Sequence, residues 1–129
     1  MSKLACTCGY IIRDQKDSLP HKASLIKDQQ EEDFIQNLAQ EINSLLTAAE
    51  AGNLEAILDQ RYGKTPWQPK AAEVCYDIIG SALLSNSIRA YECQSCGKLW
   101  IQKGVNSFKP FNPESRVYEA VLSVDPAPN

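Results

Sequence analysis

The chain has 129 residues, of which 43% are hydrophobic and 22% charged, so it holds enough apolar material for the core of one domain. Its net charge of −3 argues against a strongly basic nucleic-acid-binding domain, and its first residues lack the apolar stretch of a secretory signal peptide. Because the longest apolar run, around residues 78–84, is too short to cross a bilayer, we expect a cytoplasmic protein without a membrane segment.

The first 52 residues change from strand-like to helical patterning. Residues 3–13 have strand character on both sides of a Cys-x-Cys-Gly turn. Residues 14–22 are predicted to form a polar loop, with Pro20 as a breaker. From residue 28 the apolar side chains recur at steps of three and four, which predicts an amphipathic helix that ends at Gly52. Its apolar positions are Phe34, Leu38, Ile42, Leu45, Leu46 and Ala49.

Two shorter helices are predicted next. Asn53 is a suitable N-cap for a second helix that ends at Gly63. A third helix is predicted over about residues 70–84, where the apolar stripe places Cys75 in the core as a small hydrophobic side chain. In the connector between these helices, Trp67 is interpreted as a lid on the core, with an anchor for a partner as the alternative.

The C-terminal part returns to a period of two. Strands are predicted over residues 88–93 and 98–102, on either side of a Cys-x-x-Cys-Gly turn. Residues 107–111 form a further predicted strand, which its proline restricts to the edge of a sheet. The segment over residues 116–124 is interpreted as another strand or a short helix.

These elements predict an α+β fold in a single domain over residues 1–129. Strands from both chain ends, about residues 3–13 and 88–123, form a small β part. A three-helix insertion over about residues 28–86 packs on it. We expect the two chain ends to meet because each carries the same kind of cysteine motif.

The two cysteine motifs, at residues 6–9 and 93–97, share one construction: two close cysteines, then glycine, then a strand with an aromatic residue. Such a turn directs two side chains at one metal ion, and glycine permits the positive φ that the turn tends to need. In a reducing compartment, paired cysteines indicate metal or redox chemistry more often than disulfides, and the odd count of five agrees. The pair of motifs predicts a shared tetrahedral metal site.

The motifs resemble those of the zinc-ribbon family, in which two cysteine knuckles on β-hairpins clamp one structural Zn²⁺ ion. The resemblance covers about residues 3–13 and 88–103, and the first knuckle is one residue shorter than usual. The stretch between the knuckles, residues 9–92, is far longer than in a compact ribbon and is interpreted as the helical insertion. The resemblance implies that the metal ligands are Cys6, Cys8, Cys93 and Cys96.

Three alternatives stay open at this site. His21, the one histidine, can replace Cys6 or Cys8 if the tight first knuckle cannot place both sulfurs. Iron can take the place of zinc, since tetrahedral sulfur sites suit either metal. Cys93 and Cys96 can instead form a redox dithiol, although the βαβ setting of thioredoxin-like motifs is absent.

A closed shell of four thiolates predicts a structural metal, because catalytic zinc keeps one position open for water. No motif supplies a general base, a nucleophile elbow or a phosphate-binding loop, so we expect a protein that is not an enzyme. Residues 28–62 carry eight acids and one base. The leading hypothesis is a zinc-stapled module that binds another protein through these helices or through a ribbon face.

Two other functions are weighed against this one. A thiol redox or metal-sensing role would use the Cys-x-x-Cys motif. Nucleic-acid binding through the ribbon would use interleaved basic and aromatic side chains, unless the aromatic ones pack inside the fold. These side chains are Lys98, Trp100, Lys103, Phe108, Lys109, Phe111 and Arg116.

Overall fold

The protein has the α+β architecture that the sequence predicts, with strands at both chain ends and three helices between them. The computed structural model describes residues 3–64, 67 and 69–123. Over these ranges, no helix combines the length and the apolar character needed to cross a membrane. In chain order the elements are β1 (Lys3–Ala5), β2 (Ile11–Arg13), β3 (Lys22–Leu25), α1 (Asp28–Glu50), α2 (Leu54–Tyr62), α3 (Ala71–Asn86), β4 (Ile88–Glu92), β5 (Leu99–Gly104) and β6 (Ser107–Phe111).

The strands form two antiparallel sheets. β1 and β2 make a two-stranded hairpin in which Leu4 lies opposite Ile12. The second sheet has the order β3-β4-β5-β6. The first cysteine motif connects β1 to β2 and the second connects β4 to β5, so each motif lies in the turn of a hairpin. β6 is an edge strand, as its proline requires.

The described residues divide into two compact units. The strand unit lies within Met1–Leu25 and Ile88–Asn129, and the helical unit is Ile26–Ser87. Each has its own cluster of buried apolar side chains. The expectation of a single domain over residues 1–129, with the helices packed on the β part, stays a prediction.

The core of the strand unit surrounds the cysteine motifs. Ile12, Tyr91 and Trp100 are buried there with two of the cysteines. Phe108 packs against this cluster, with its ring centroid 5.5 Å from that of Tyr91. The side chains of β2, β4, β5 and β6 therefore form one apolar layer next to the two hairpin turns.

The core of the helical unit is small and runs along one line of α3. The buried residues of α3 are spaced four apart, so they lie on one face of the helix. They are Val74, Ile78, Ala82 and Asn86. Leu58 of α2 is buried against this face. Three half-buried side chains complete the cluster: Leu38, Leu45 and Tyr62.

The predicted helices are confirmed with small changes at their ends. α1 begins at the predicted residue and ends at Glu50, and Gly52 follows with φ +75°, a conformation that glycine adopts at little cost. α3 extends to Asn86, slightly beyond the predicted end. Its N-terminus is capped by the Glu73 carboxylate, which accepts a hydrogen bond of 3.2 Å from the Lys70 backbone N–H.

One strand was not expected. β3 follows the predicted polar loop, and its four residues show no clear alternation of apolar and polar side chains. It forms because it pairs with β4 in an antiparallel register, with Ala23 opposite Ala90. The pairing is a long-range interaction, which a local pattern of four residues cannot reveal.

The segment over residues 116–124 is neither a strand nor a helix in its described part, so that prediction was wrong. Backbone N–H groups of Val121 and Leu122 donate to the carboxylate of Glu92 instead of to a neighbouring strand. The Glu92 side chain thus accepts hydrogen bonds that a neighbouring strand would otherwise accept. The apolar alternation of the segment therefore does not lead to sheet formation.

Two predictions of burial in the helical unit were also wrong. Cys75 is exposed, because it follows Val74 by one position and so points about 100° away from the buried line of α3. Trp67 is 67% exposed and is therefore not a lid on the core. The apolar stripe seen in the sequence is wider than the face that the structure buries.

Candidate metal centre

The four cysteines of the two motifs lie together in the strand unit, with all four Sγ atoms within 4.8 Å of one another. Cys6 Sγ is 3.6 Å from Cys96 Sγ, and Cys8 Sγ is 3.6 Å from Cys93 Sγ. A disulfide bond is only about 2 Å long. In a tetrahedral site with metal–sulfur bonds of about 2.3 Å, the sulfurs are about 3.8 Å apart. The cluster can therefore hold a metal ion.

The first knuckle is a five-residue turn over residues 6–10. The Gly9 N–H donates to the Cys6 carbonyl at 3.0 Å, and the Cys6 N–H donates to the Tyr10 carbonyl at 2.9 Å. Gly9 has φ +98°, which a residue with a Cβ rarely adopts. Two hydrogen bonds thus close the turn and leave the cysteine side chains on its open side.

The second knuckle is built in the same way with one more residue. The Gly97 N–H donates to the Cys93 carbonyl at 2.8 Å, and the Cys93 N–H donates to the Lys98 carbonyl, also at 2.8 Å. Gly97 has φ +81°. The shorter spacing of the first motif is therefore matched by a turn that is one residue tighter, and both knuckles still present two sulfurs.

The Cys6 sulfur is surrounded by hydrogen-bond donors. Burial raises the pKa of this thiol, but the backbone N–H of Cys8, the indole of Trp100 and the thiol of Cys96 favour the thiolate. Together they lower the pKa of Cys6 to about 6. Charge on this sulfur is thus stabilised mainly by donors of its own turn and of β5, as metal-binding thiolates require.

The remaining buried sulfurs resist ionisation. Burial raises the pKa of Cys93 to about 12, and its contacts with the thiols of Cys8 and Cys96 add to the effect. Burial also raises the pKa of Cys96, assisted by the contact with Cys6. Four sulfurs at these distances do not all become thiolates without a compensating charge. A divalent cation supplies that charge, and its binding would release the protons.

Trp100 contributes a feature that fits a thiolate centre. Its ring is buried, and within the described residues its indole N–H makes no hydrogen bond of ordinary geometry. The N–H nevertheless lies close enough to Cys6 to lower the pKa of that thiol. A neutral thiol is a weak acceptor, whereas a thiolate is a strong one. The orphaned donor therefore agrees with a charged sulfur at Cys6.

His21 and Cys75 do not join the centre. Among the described residues, the four knuckle cysteines form the group whose atoms lie close enough to hold a metal ion. His21 is buried with Nε2 at 2.8 Å from the Arg13 carbonyl, so this nitrogen is the donor of a hydrogen bond to the backbone. The structure thus brings together the four predicted ligands and leaves the alternative ligand outside.

Sequence reasoning missed the role of Glu92, which is the last residue of β4 and directly precedes Cys93. Its carboxylate is fully buried and accepts hydrogen bonds from Tyr118 Oη at 2.6 Å and from the N–H groups of Val121 and Leu122 at 2.8 and 2.7 Å. Burial opposes ionisation, but these donors hold the pKa of Glu92 below its usual value. An acid within an apolar strand was the available signal, because a buried charge needs partners.

The same contact places Tyr118 against the second knuckle. A Cβ added at Gly97 would come within 3.0 Å of the Tyr118 ring at Cγ and closer still at Cδ1. Glycine at this position therefore serves both the positive φ of the turn and the close approach of the aromatic ring. The described end of the chain, through Glu92 and Tyr118, covers one side of the knuckle.

The basic and aromatic stretch does not form an open stacking surface. Trp100 is buried, and Phe108 packs against the core of the strand unit. Lys98 Nζ donates to the Thr7 hydroxyl, which links the two knuckles. Of the aromatic residues proposed for stacking, Phe111 has a largely exposed side chain.

One family model matches residues 2–115 of the chain, and its description is Domain of unknown function (DUF8617). The match spans both knuckles and all three helices. No curated protein and no solved structure matches the chain. The functional argument therefore rests on the site itself.

Proposed function

The chain belongs to the DUF8617 family, and we propose that its four clustered cysteines hold one structural Zn²⁺ ion. The observation that supports this is the approach of all four Sγ atoms to within 4.8 Å. Cys6, Cys8, Cys93 and Cys96 would be the ligands, and the bound ion would fasten the first hairpin to the second. In small zinc domains such binding supplies folding free energy on the order of 10 kcal/mol.

The proposed centre is structural and the protein is not an enzyme. Four thiolates fill a tetrahedral shell and leave no position for a reacting water molecule. The thiolates would need a reducing compartment, so a cytoplasmic setting is part of the proposal. Zinc is favoured over iron because the two knuckles resemble those of the zinc ribbons.

X-ray absorption on tag-free protein tests the centre. The expected spectrum has a zinc edge with four sulfur neighbours at about 2.3 Å. A Cys75→Ser control should leave it unchanged, whereas Cys93→Ser should remove a sulfur neighbour or the metal. An iron edge would show that the metal is iron and not zinc. Three sulfur neighbours with one nitrogen would show that His21 is a ligand in place of one cysteine.

The proposed role of the helical unit is to bind a partner protein. A groove of about 300 Å³ lies between its helices and is lined almost entirely by apolar side chains. Leu46, on its wall, is 60% exposed. Apolar grooves of this kind receive the apolar face of an amphipathic helix. The lining includes Leu45, Leu46 and Ala49 of α1, Leu54 and Leu58 of α2, and Val74 and Cys75 of α3.

Charge indicates which helix would fit. The helical unit, Ile26–Ser87, carries ten acidic and four basic residues, a balance of −6, and none of the residues that line the groove is charged. A partner helix would therefore place apolar side chains in the groove and basic ones against the acidic helical unit. The proposed partner is a protein with a basic amphipathic helix.

A fluorophore on Cys75 provides the test, because this thiol is exposed and lines the groove. A designed lysine-rich amphipathic peptide should change the emission of the label, and a glutamate-rich peptide with the same apolar face should not. Leu46→Glu should abolish the response. Leu84→Glu is the matched control, since Leu84 is 67% exposed and lies outside the groove lining.

Equal responses to the two peptides, or equal effects of the two substitutions, would contradict the proposed partner. A change in emission with protein concentration alone would instead indicate that a second copy of the chain fills the groove.

A further inference from the structure

The strand unit also contains a cavity, and none of the cysteines is among the residues that line it. It has a volume of about 480 Å³, within the range of small-molecule sites. Three parts of the chain form its walls. They are the end of the first hairpin with Tyr10 and Arg13, the loop before β3 with Lys16 and His21, and the second knuckle with Gln94.

Both charged residues in the lining are positive. Arg13 and Lys16 face no carboxylate among the residues of the cavity wall, and neither side chain forms an ion pair in the described part of the chain. The adjacent acid, Asp14, is engaged elsewhere, since its carboxylate is 2.7 Å from Lys22 Nζ and accepts a hydrogen bond from Tyr91. The lining of the cavity therefore carries two positive charges and no negative one.

Neutral hydrogen-bonding groups lie beside these cations. The Tyr10 hydroxyl donates to Gln94 Oε1 at 3.4 Å, so the Gln94 amide N–H groups face no acceptor in that contact. Gln15 adds a second amide side chain to the lining. Phenol and amide groups of this kind bind the hydroxyl and carbonyl groups of an organic molecule.

The imidazole of His21 is a buried part of the wall. Its Nε2–H bond to the Arg13 carbonyl holds the backbone that carries the guanidinium. The other nitrogen, Nδ1, has no hydrogen-bond partner among the described residues. The hydrogen bond from Nε2 fixes the main chain at Arg13, next to the cavity.

We propose that this cavity binds a small phosphate-bearing organic molecule of about the size of a nucleoside monophosphate. The guanidinium of Arg13 and the ammonium of Lys16 bind the phosphate, because charge-assisted hydrogen bonds to phosphate oxygens are stronger than hydrogen bonds between neutral groups. Gln15, Gln94 and Tyr10 bind the organic part. No cysteine lines the cavity, but Tyr10 and Gln94 belong to the two knuckles, so the test uses the metal-loaded chain.

Calorimetric titration of the metal-loaded full chain tests the site, with AMP, inorganic phosphate and adenosine as probes. AMP should bind more tightly than phosphate, and adenosine should bind at least about tenfold more weakly than AMP, which corresponds to about 1.4 kcal/mol. If inorganic phosphate binds as tightly as AMP, the cavity binds the free anion and the proposed organic ligand is wrong. If adenosine binds as tightly as AMP, the proposed recognition of the phosphate is wrong.

Matched double variants separate the cavity from general attraction to a basic surface. Arg13→Ala with Lys16→Ala should weaken AMP binding at least about tenfold. Lys103→Ala with Lys109→Ala removes the same charge from exposed positions of β5 and β6 and should leave the affinity unchanged. Unchanged binding in the first variant, or equal losses in both, would overturn the proposal. Retained metal in each variant confirms that it is folded.

Discussion

Glu92 shows how one buried acid organises the end of the described chain. Its carboxylate accepts hydrogen bonds from the Tyr118 hydroxyl and from three backbone N–H groups, while its own N–H donates to the His21 carbonyl at 2.8 Å. The three backbone groups are those of Val121, Leu122 and Ser123. A charge without solvent is tolerated because these donors stabilise it. The residue thereby connects β4, the loop before β3 and the segment that covers the second knuckle.

The contribution of Glu92 should depend on pH. Its pKa is lower in the folded protein than in the unfolded chain, where the ordinary value is about 4.5. The stabilisation is therefore present above that value and is lost as the pH falls through the folded pKa. At pH 7, Glu92→Gln should lower the free energy of unfolding by about 2 kcal/mol.

Acid also weakens metal binding, so the relevant quantity is the difference between wild type and variant in urea denaturation at each pH. We expect this difference to shrink as the pH falls below 4.5. A difference that stays constant from pH 7 to acid would contradict an ionised Glu92.

The two knuckle glycines should differ in their response to alanine. Both have positive φ, but a Cβ at Gly9 meets no atom within 4 Å, whereas one at Gly97 collides with the Tyr118 ring. Gly9→Ala should therefore cost about 1–2 kcal/mol from backbone strain alone. Gly97→Ala should cost about 3 kcal/mol, because overpacking adds to the strain.

A double-mutant cycle with Tyr118→Ala isolates the collision. In that background, Gly97→Ala should cost about as much as Gly9→Ala when measured by urea denaturation. Equal costs for the two glycine variants in the wild-type background would show that the close approach of Tyr118 does not constrain the knuckle.

At the scale of elements, the helices of this protein were predictable because each is longer than two turns and a glycine follows the end of α1 and of α2. Periodicity alone did not show which side chains are buried. Ile78 is 1% exposed and Ile79 is 49% exposed, although both belong to the apolar stripe seen in the sequence. The difference arises from the position of α1 and α2 around α3, which is tertiary information.

This pair provides a matched test on one helix. Ile78→Ala should lower the free energy of unfolding by about 3 kcal/mol, because it removes a fully buried side chain and leaves a cavity. Ile79→Ala should cost about 1 kcal/mol or less. Urea denaturation followed by circular dichroism at a helical wavelength measures both, and similar losses would contradict the single buried line on α3.

The knuckles were also predictable from the sequence, because two cysteines followed by glycine form a local pattern whose geometry the turn determines. β3 and the clasp around Glu92 were not, since each depends on a partner far away in the chain. The short cysteine spacing of the first knuckle departs from the zinc-ribbon pattern. The structure accommodates this spacing with a turn that is one residue shorter than that of the second knuckle. Local chemistry was thus recoverable, and long-range pairing was not.

At the scale of the whole molecule, the proposed centre fastens residues near the two ends of the described chain. The two hairpins bring their sulfurs together and share the core of Ile12, Tyr91 and Trp100. Lys98 and Thr7 add a direct hydrogen bond between the knuckles. We therefore expect the strand unit to depend on the proposed centre more than the helical unit, whose described core contains no metal-ligand candidate.

Tryptophan fluorescence can follow removal of the metal. In a Trp67→Phe variant, the buried Trp100 is the remaining indole, and a strong chelator should shift its emission to longer wavelength. In a Trp100→Phe variant, the exposed Trp67 should report little change. If the helical circular dichroism signal survives chelation, the helical unit stays folded without the metal. If the signal is lost, the result supports the predicted single domain.

The most direct measurement is elemental analysis of tag-free protein together with a count of reactive thiols. The account predicts one zinc ion per chain and one reactive thiol, that of the exposed Cys75, with the four knuckle cysteines protected. Protein without metal, with four or five reactive thiols, would contradict the four-cysteine centre and make the Cys-x-x-Cys motif a redox candidate.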